Sequence, residues 1–319
     1  MEPVSLLAGG LIALLFAIPF LNDDDDGSDA PAGPTLDPVN GTVTGTEDAD
    51  DIDMVALNAE ETDPDIDYVT AYGREGDDTI SALDGSSAYG DDGDDIIDFA
   101  GGEGETTIDG GAGDDVLTGA ASYSDILGGA GNDTVNISWD TSSDGDDPFV
   151  DLGDGDDLLI FDGPAGTGYG VIDGAGDDTI RILNASANPM IGYGSPGFES
   201  GAGNDVYEFT LRPDANAAIP EENPASIGYP HAGVIYTTND DFETGADRIV
   251  VDPYSLAGDA TFTGVESVLV SGSGYQEIVF NYTHPDYPEG LAMSIAIEGS
   301  KHIPLEYIQI VGAPATAAA

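Results

Sequence analysis

The sequence contains no cysteine, and among 319 residues only five side chains are basic: Arg74, Arg181, Arg212, Arg248 and Lys301. Without cysteine there are no disulfides and no thiolate metal sites. Five scattered cations cannot make a basic footprint, which excludes nucleic acid as a partner. They are equally unsuited to holding the body of the chain on an acidic membrane surface. Histidine is scarce as well: His231, His284 and His302 lie far apart, with no His-Glu-x-x-His spacing for a zinc protease. No Gly-x-Ser-x-Gly elbow and no phosphate-binding loop appears. Beyond residue 22 no long segment carries a helical period.

Acid is abundant. Aspartate and glutamate number 63, giving a formal charge of −58, while hydrophobic residues still make up 40% of the chain. That hydrophobic content is too high for a disordered polyelectrolyte, yet the charge opposes compaction unless bound cations or salt offset it. Acids such as Glu47, Glu61, Asp63, Glu221 and Glu222 form part of a generally acidic surface, of the kind expected in high salt.

The chain divides into four parts. Residues 1–22 hold one uncharged apolar run, Val4–Leu21, close to the roughly 20 residues of a spanning helix. It reads as a membrane anchor; a signal peptide and a buried core helix are the alternatives, the former lacking a basic start and a small-x-small cleavage site. Residues 23–41 are an acidic linker rich in Asp, Gly, Ser and Pro. Residues 42–210 are repetitive. Residues 211–319 carry alternating apolar stretches ("DRIVVD", "VESVLVSG", "QEIVFNY", "LAMSIAIEG") that predict β-strands.

Seven octapeptides in residues 42–210 share one frame: "GREGDDTI", "GDDGDDII", "GGAGDDVL", "GGAGNDTV", "LGDGDDLL", "DGAGDDTI" and "SGAGNDVY". Each has Gly at the fourth place, Asp at the sixth and an apolar side chain, or Tyr, at the eighth. An eighth copy, "GTEDADDI", keeps the final Asp and Ile but loses the spaced glycines. The frame resembles the nonapeptide Gly-Gly-x-Gly-x-Asp-x-apolar-x of RTX, or haemolysin-type calcium-binding, proteins. The resemblance spans roughly residues 42–210, and seven copies in one frame make it specific.

That resemblance implies an all-β fold: a right-handed parallel β-roll, followed here by a β-rich C-terminal capping domain. The chemistry is consistent with it. Calcium takes 6–8 oxygen ligands, glycines let the backbone turn carbonyls inward, and the sixth-place Asp adds a carboxylate. The residue two places later faces the core, since side chains alternate along a strand. Expected metal ligands are therefore Asp78, Asp95, Asp115, Asp133, Asp157, Asp178 and Asp205, with the loop residues Gly110, Gly111, Ala112, Gly113, Gly128, Gly129, Ala130 and Gly131. Seven stacked loops would enclose about six ions. The intervening turns are poorer, with Thr106, Ser124 and Tyr169 at the acid position and only Asp147 retaining one, so the ladder is expected on one edge. Long gaps before Asp157 and Asp205 suggest insertions.

The expected function is that of a non-catalytic, secreted or cell-surface calcium-binding protein of bacterial exoprotein type. Its roll would fold on binding several Ca2+ ions at roughly 10⁻⁴–10⁻³ M, outside the calcium-poor cytoplasm. Adhesion or envelope structure is the expected role and a cell-surface or matrix ligand the expected partner, with the membrane met only through Val4–Leu21. The alternative is an RTX hydrolase with an unrecognised site in the C-terminal domain. An ice-binding face is disfavoured, because the third-place residues Glu75, Asp92, Ala112, Ala130, Asp154, Ala175 and Ala202 include no Thr column. "NDDFETGADRIVVD" resembles a segment often found just after RTX repeats, through Phe242, Asp247 and Ile249. The terminal "IQIVGAPATAAA" could serve as a type I export signal, which sits awkwardly with an apolar N-terminus.

Overall fold

A computed structural model describes residues 33–312, apart from 38, 61–69, 84, 101–105, 122–123, 140–148, 163–169, 187–196, 214–230, 238–245, 256, 270–275 and 300–301. The Val4–Leu21 segment, Asp147, Tyr169, Phe242 and residues 313–319 lie outside the described residues. The protein is nearly all β, built on two large sheets.

The chain passes back and forth between these sheets. β2 (Thr42–Thr44), β4 (Thr70–Glu75), β6 (Ser87–Asp92), β8 (Thr106–Ala112), β10 (Ser124–Ala130), β12 (Phe149–Asp154), β14 (Gly170–Ile172), β16 (Gly197–Glu199) and β18 (His231–Thr237) lie in the first. β3 (Asp51–Asp53), β5 (Thr79–Ala82), β7 (Ile96–Phe99), β9 (Val116–Ala121), β11 (Thr134–Trp139), β13 (Leu158–Asp162), β15 (Thr179–Ser186), β17 (Val206–Arg212) and β19 (Arg248–Asp252) lie in the second. Up to β16 and β17, each pairs in parallel with the strand two positions on in the chain. β1 (Thr35–Asp37) adds to β2 antiparallel, and β23 (Ile308–Ile310) extends the second sheet beside β19.

The repeat explains this regularity. Its seventh and eighth places open each strand of the second sheet, and the eighth-place side chain turns inward. Ile52, Ile80, Ile97, Leu117, Val135, Leu159, Ile180, Tyr207 and Ile249 stand in register as one column, all of them buried. Val43, Ala71, Ala88, Ile108, Ile126, Val150, Val171 and Phe198 form the matching column of the first sheet. Both columns belong to one buried cluster. β-Branched and aliphatic side chains suit a pleated, half-buried surface, and buried parallel strands are rich in them.

The far end is built differently. β20 (Thr261–Leu269), β21 (Gln276–His284) and β22 (Tyr287–Gly299) are antiparallel, with β22 joining the first sheet beside β18. Phe262 packs edge-on against Tyr254 and Tyr282, with ring centroids 5.2 and 5.7 Å away. The one α-helix among the described residues, Met54–Glu60, is capped by Asp53, whose Oδ1 accepts the Ala56 N–H at 2.8 Å. No helix among the described residues is long and apolar enough to cross a membrane.

Candidate metal ladder

Every Gly-Asp loop makes the same passage, from the first sheet to the second, so the loops stack along one edge. Asp78, Asp95, Asp115, Asp133, Asp157, Asp178 and Asp205 form a single file there, each no more than 2% exposed. The structure thus brings together all seven sixth-place acids expected to bind metal. One Oδ1 of each carboxylate accepts the backbone N–H of the equivalent residue one loop earlier. Asp78 N–H donates to Asp95, Asp95 to Asp115, Asp115 to Asp133, Asp133 to Asp157, Asp157 to Asp178 and Asp178 to Asp205, at 2.7–3.0 Å. The file is longer than the seven regular loops. Asp50 N–H donates to Asp78 at one end, and Asp205 N–H donates to Asp247 at the other.

With Oδ1 fixed in this way, the second oxygen is held in one direction. Oδ2 of Asp78, Asp95, Asp115, Asp133, Asp157 and Asp178 is buried and has no hydrogen-bond partner. Six consecutive orphaned carboxylate oxygens are costly in a dry site unless something compensates them. Burial, with like charge from neighbouring acids, pushes these carboxyls up against the opposing pull of the backbone N–H. Asp78, Asp115, Asp157 and Asp205 reach about 6, Asp95 and Asp133 about 7, and Asp178 about 8.

The first-place glycines complete an oxygen-lined cradle. A Cβ on Gly90 would run into Asp95 Oδ2 and the Gly110 carbonyl; on Gly110, into Asp115 Oδ2 and the Gly128 carbonyl; on Gly128, into the Leu152 carbonyl and Asp133 Oδ2. At each of these three rungs a carboxylate oxygen of the same loop and a carbonyl oxygen of the next converge where a side chain would begin. Hard oxygen donors of both kinds, one of them orphaned, are the donor set of a hard divalent cation.

The other expected ligands hold the loops in shape. Gly113 and Gly131 have φ of +144° and +135°, and a Cβ at either would strike the carbonyl of the preceding loop's glycine. Gly111 and Gly129 are also at positive φ, 109° and 115°. Ala112 and Ala130 end their strands, and their carbonyls accept the Gly93 and Gly113 N–H groups at 2.8 Å. Those two carbonyls each spend a lone pair on the backbone.

Sequence reasoning missed three features. The fifth-place residues form a second, exposed rail: Asp94 N–H donates to Asp77, Asp114 to Asp94, Asn132 to Asp114, Asp156 to Asn132, Asp177 to Asp156 and Asn204 to Asp177, at 2.7–3.1 Å. Asp247 is a rung of the inner file rather than part of a separate segment after the repeats; Gly245 at the fourth place and Ile249 at the eighth were the available signal. Third, Asp173, at the first place of its loop, is fully buried beside Asp178 and Asp205, and one carboxylate oxygen from each lies within 4.8 Å of the others. On the return passages Thr106 and Ser124, expected in place of acids, are buried hydroxyl residues. No protein-family model matches the chain, and no curated protein matches it.

Proposed function

We propose that this chain is a non-catalytic calcium-binding protein of the RTX type, secreted or displayed at the cell surface, whose loops close as a right-handed β-roll around a file of about six ions. One observation carries the reading: six consecutive aspartates each have one oxygen tied to the backbone and the other buried without a partner. The alternation of strands between two sheets supports a coiled path, and the loops' convergence on one edge supports a one-sided ladder.

Calcium fits better than magnesium. It accepts 6–8 oxygens in flexible geometry, whereas magnesium demands a compact octahedron and keeps its waters. Asp78, Asp95, Asp115, Asp133, Asp157, Asp178 and Asp205 would supply carboxylate oxygens, and the first-place residues would supply carbonyls. Cations that bind only the folded state shift the equilibrium toward it. A chain of net charge −58 is then expanded where calcium is scarce and ordered where it is plentiful, which suits an adhesive or envelope protein that acquires its shape outside the cell.

The test is a far-UV circular dichroism titration of the full chain with calcium, with magnesium as control. A cooperative gain of β signal at sub-millimolar to millimolar calcium, absent with magnesium, is expected. A chain already fully ordered in chelator and indifferent to calcium would sink the reading.

A further inference from the structure

The ladder is not uniform. Its first places read Gly73, Gly90, Gly110, Gly128, Leu152, Asp173 and Ser200, so the sixth loop alone puts an acid there. Asp173 is fully buried and takes the Tyr207 hydroxyl on Oδ2, at 2.5 Å, and the Gly201 N–H on Oδ1. Tyr207 occupies an eighth-place position, where the other six regular loops have an aliphatic side chain, and its hydroxyl reaches across the core to this carboxylate. Ser200 Oγ lies 3.5 Å from Asp205 Oδ2. Between these groups Asp178, also fully buried, presents an Oδ2 with no partner.

We propose that Asp173, Asp178 and Asp205 form a calcium site distinct from the rest of the ladder, tighter than the others and first to fill, with Tyr207 as the residue that positions Asp173. The inference rests on the calcium-ladder reading and adds to it an order of filling. Ligand charge sets calcium affinity, and this loop brings one more carboxylate to its cradle than the first-place glycines can. A donor behind a ligand that fixes its orientation commonly contributes ten- to a hundredfold in affinity. Tyr207 holds Asp173 without supplying charge. Once an ion sits here, the adjoining loops are aligned by the shared backbone-to-carboxylate bonds, so the remaining ions enter a stack already begun at its C-terminal end.

The test is equilibrium calcium binding by the full chain, with Tb3+ as a luminescent probe. In the wild-type chain the first equivalent binds roughly tenfold or more tighter than the remainder, and substoichiometric Tb3+ shows tyrosine-sensitised emission. D173G gives the loop the glycine of its neighbours; it should abolish the tight phase and bring this site down to the affinity of the others, with the total number of ions unchanged. D115N, in the middle of the file, should reduce capacity and leave the tight phase intact. Y207F should weaken the first phase by about tenfold and remove the Tb3+ emission. Should D173G fail to fold because it strands the buried phenol, D173G/Y207F leaves no phenol to strand. Persistence of the tight phase in D173G or in the double variant, or equal affinity at all wild-type sites, overturns this inference and leaves the ladder standing. Absence of calcium binding by the wild-type chain overturns both.

Discussion

The Gly-Asp edge and the three antiparallel strands at the C-terminal end reach order by opposite means. At the edge, Asp78 to Asp205 bury carboxylates, and glycines at φ such as +144° hold backbones against one another. Little apolar surface lies in the loops themselves, so their order depends on what neutralises the acids. In β20–β22, Phe262, Phe280 and Tyr282 pack ring to ring, and Ile278, Met293 and Ile295 are buried with them. Apolar burial needs no counterion. On the proposed calcium reading, a single chain carries a conditional region and an unconditional one.

The largest effect expected is from calcium removal. Hydrogen exchange in chelator at pH 7.5 should show protection lost across the loop edge and the strands it joins, with β21 and β22 the last to exchange. Equal loss everywhere would mean that the two regions unfold as one. Point substitutions should separate them next. Phe280→Ala should cost about 3–5 kcal/mol and expose β20–β22 first. Gly131→Ala, placing a Cβ against the Gly113 carbonyl at φ +135°, should cost about 3 kcal/mol and raise the calcium needed for folding. Both are read from urea unfolding followed by hydrogen exchange.

A pH effect arises from the burial of the file. The sixth-place carboxyls are raised from 3.8 to between about 6 and about 8 in the metal-free fold. Between those limits the folded chain holds protons that the unfolded chain has released, so metal-free stability falls as pH rises through the window. In chelator, circular dichroism should show more β structure at pH 5 than at pH 8. Calcium should abolish the difference near neutrality and bind more weakly in acid. Insensitivity of the metal-free chain to pH would mean that the file is not desolvated in solution.

The smallest effect expected is from Asp115→Asn, which keeps an oxygen to accept the Asp95 N–H while deleting one charge. In chelator it should favour folding by about 1 kcal/mol and shift acid-induced folding to higher pH. In saturating calcium the sign should reverse, with a lower melting temperature. Phe280→Ala should destabilise under both conditions.

Much of the conditional region was legible in the sequence, because its period is both chemical and geometric. The sixth-place Asp and the eighth-place apolar residue recur together, so spacing places the Ile80-to-Ile180 column, and the resemblance to RTX loops implied the file. Val135, the apolar residue of "GGAGNDTV", is buried as its spacing implies. The strands at Arg248–Asp252, Thr261–Leu269, Gln276–His284 and Tyr287–Gly299 fall where apolar alternation put them. The outer rail was hidden because Asp94, Asp114 and Asn132 are exposed, and solvent-side polar residues carry no hydrophobic signal. Asp247 was hidden by distance, standing 42 residues beyond its partner Asp205. Asp173 looked like one more acid among many, since nothing in the sequence shows that Tyr207 would cross the core to meet it.

The two rails run in opposite directions along the stack. Along the inner file each N–H points toward the C-terminal neighbour, and along the fifth-place rail each N–H points back. In an α-helix all such dipoles align, so charge accumulates at the ends and the ends require compensation. Here the amide dipoles oppose one another within every rung, so polarity does not grow with the number of repeats. The stack can gain or lose a loop without building up amide polarity at its ends, as a ladder can be lengthened without changing its feet.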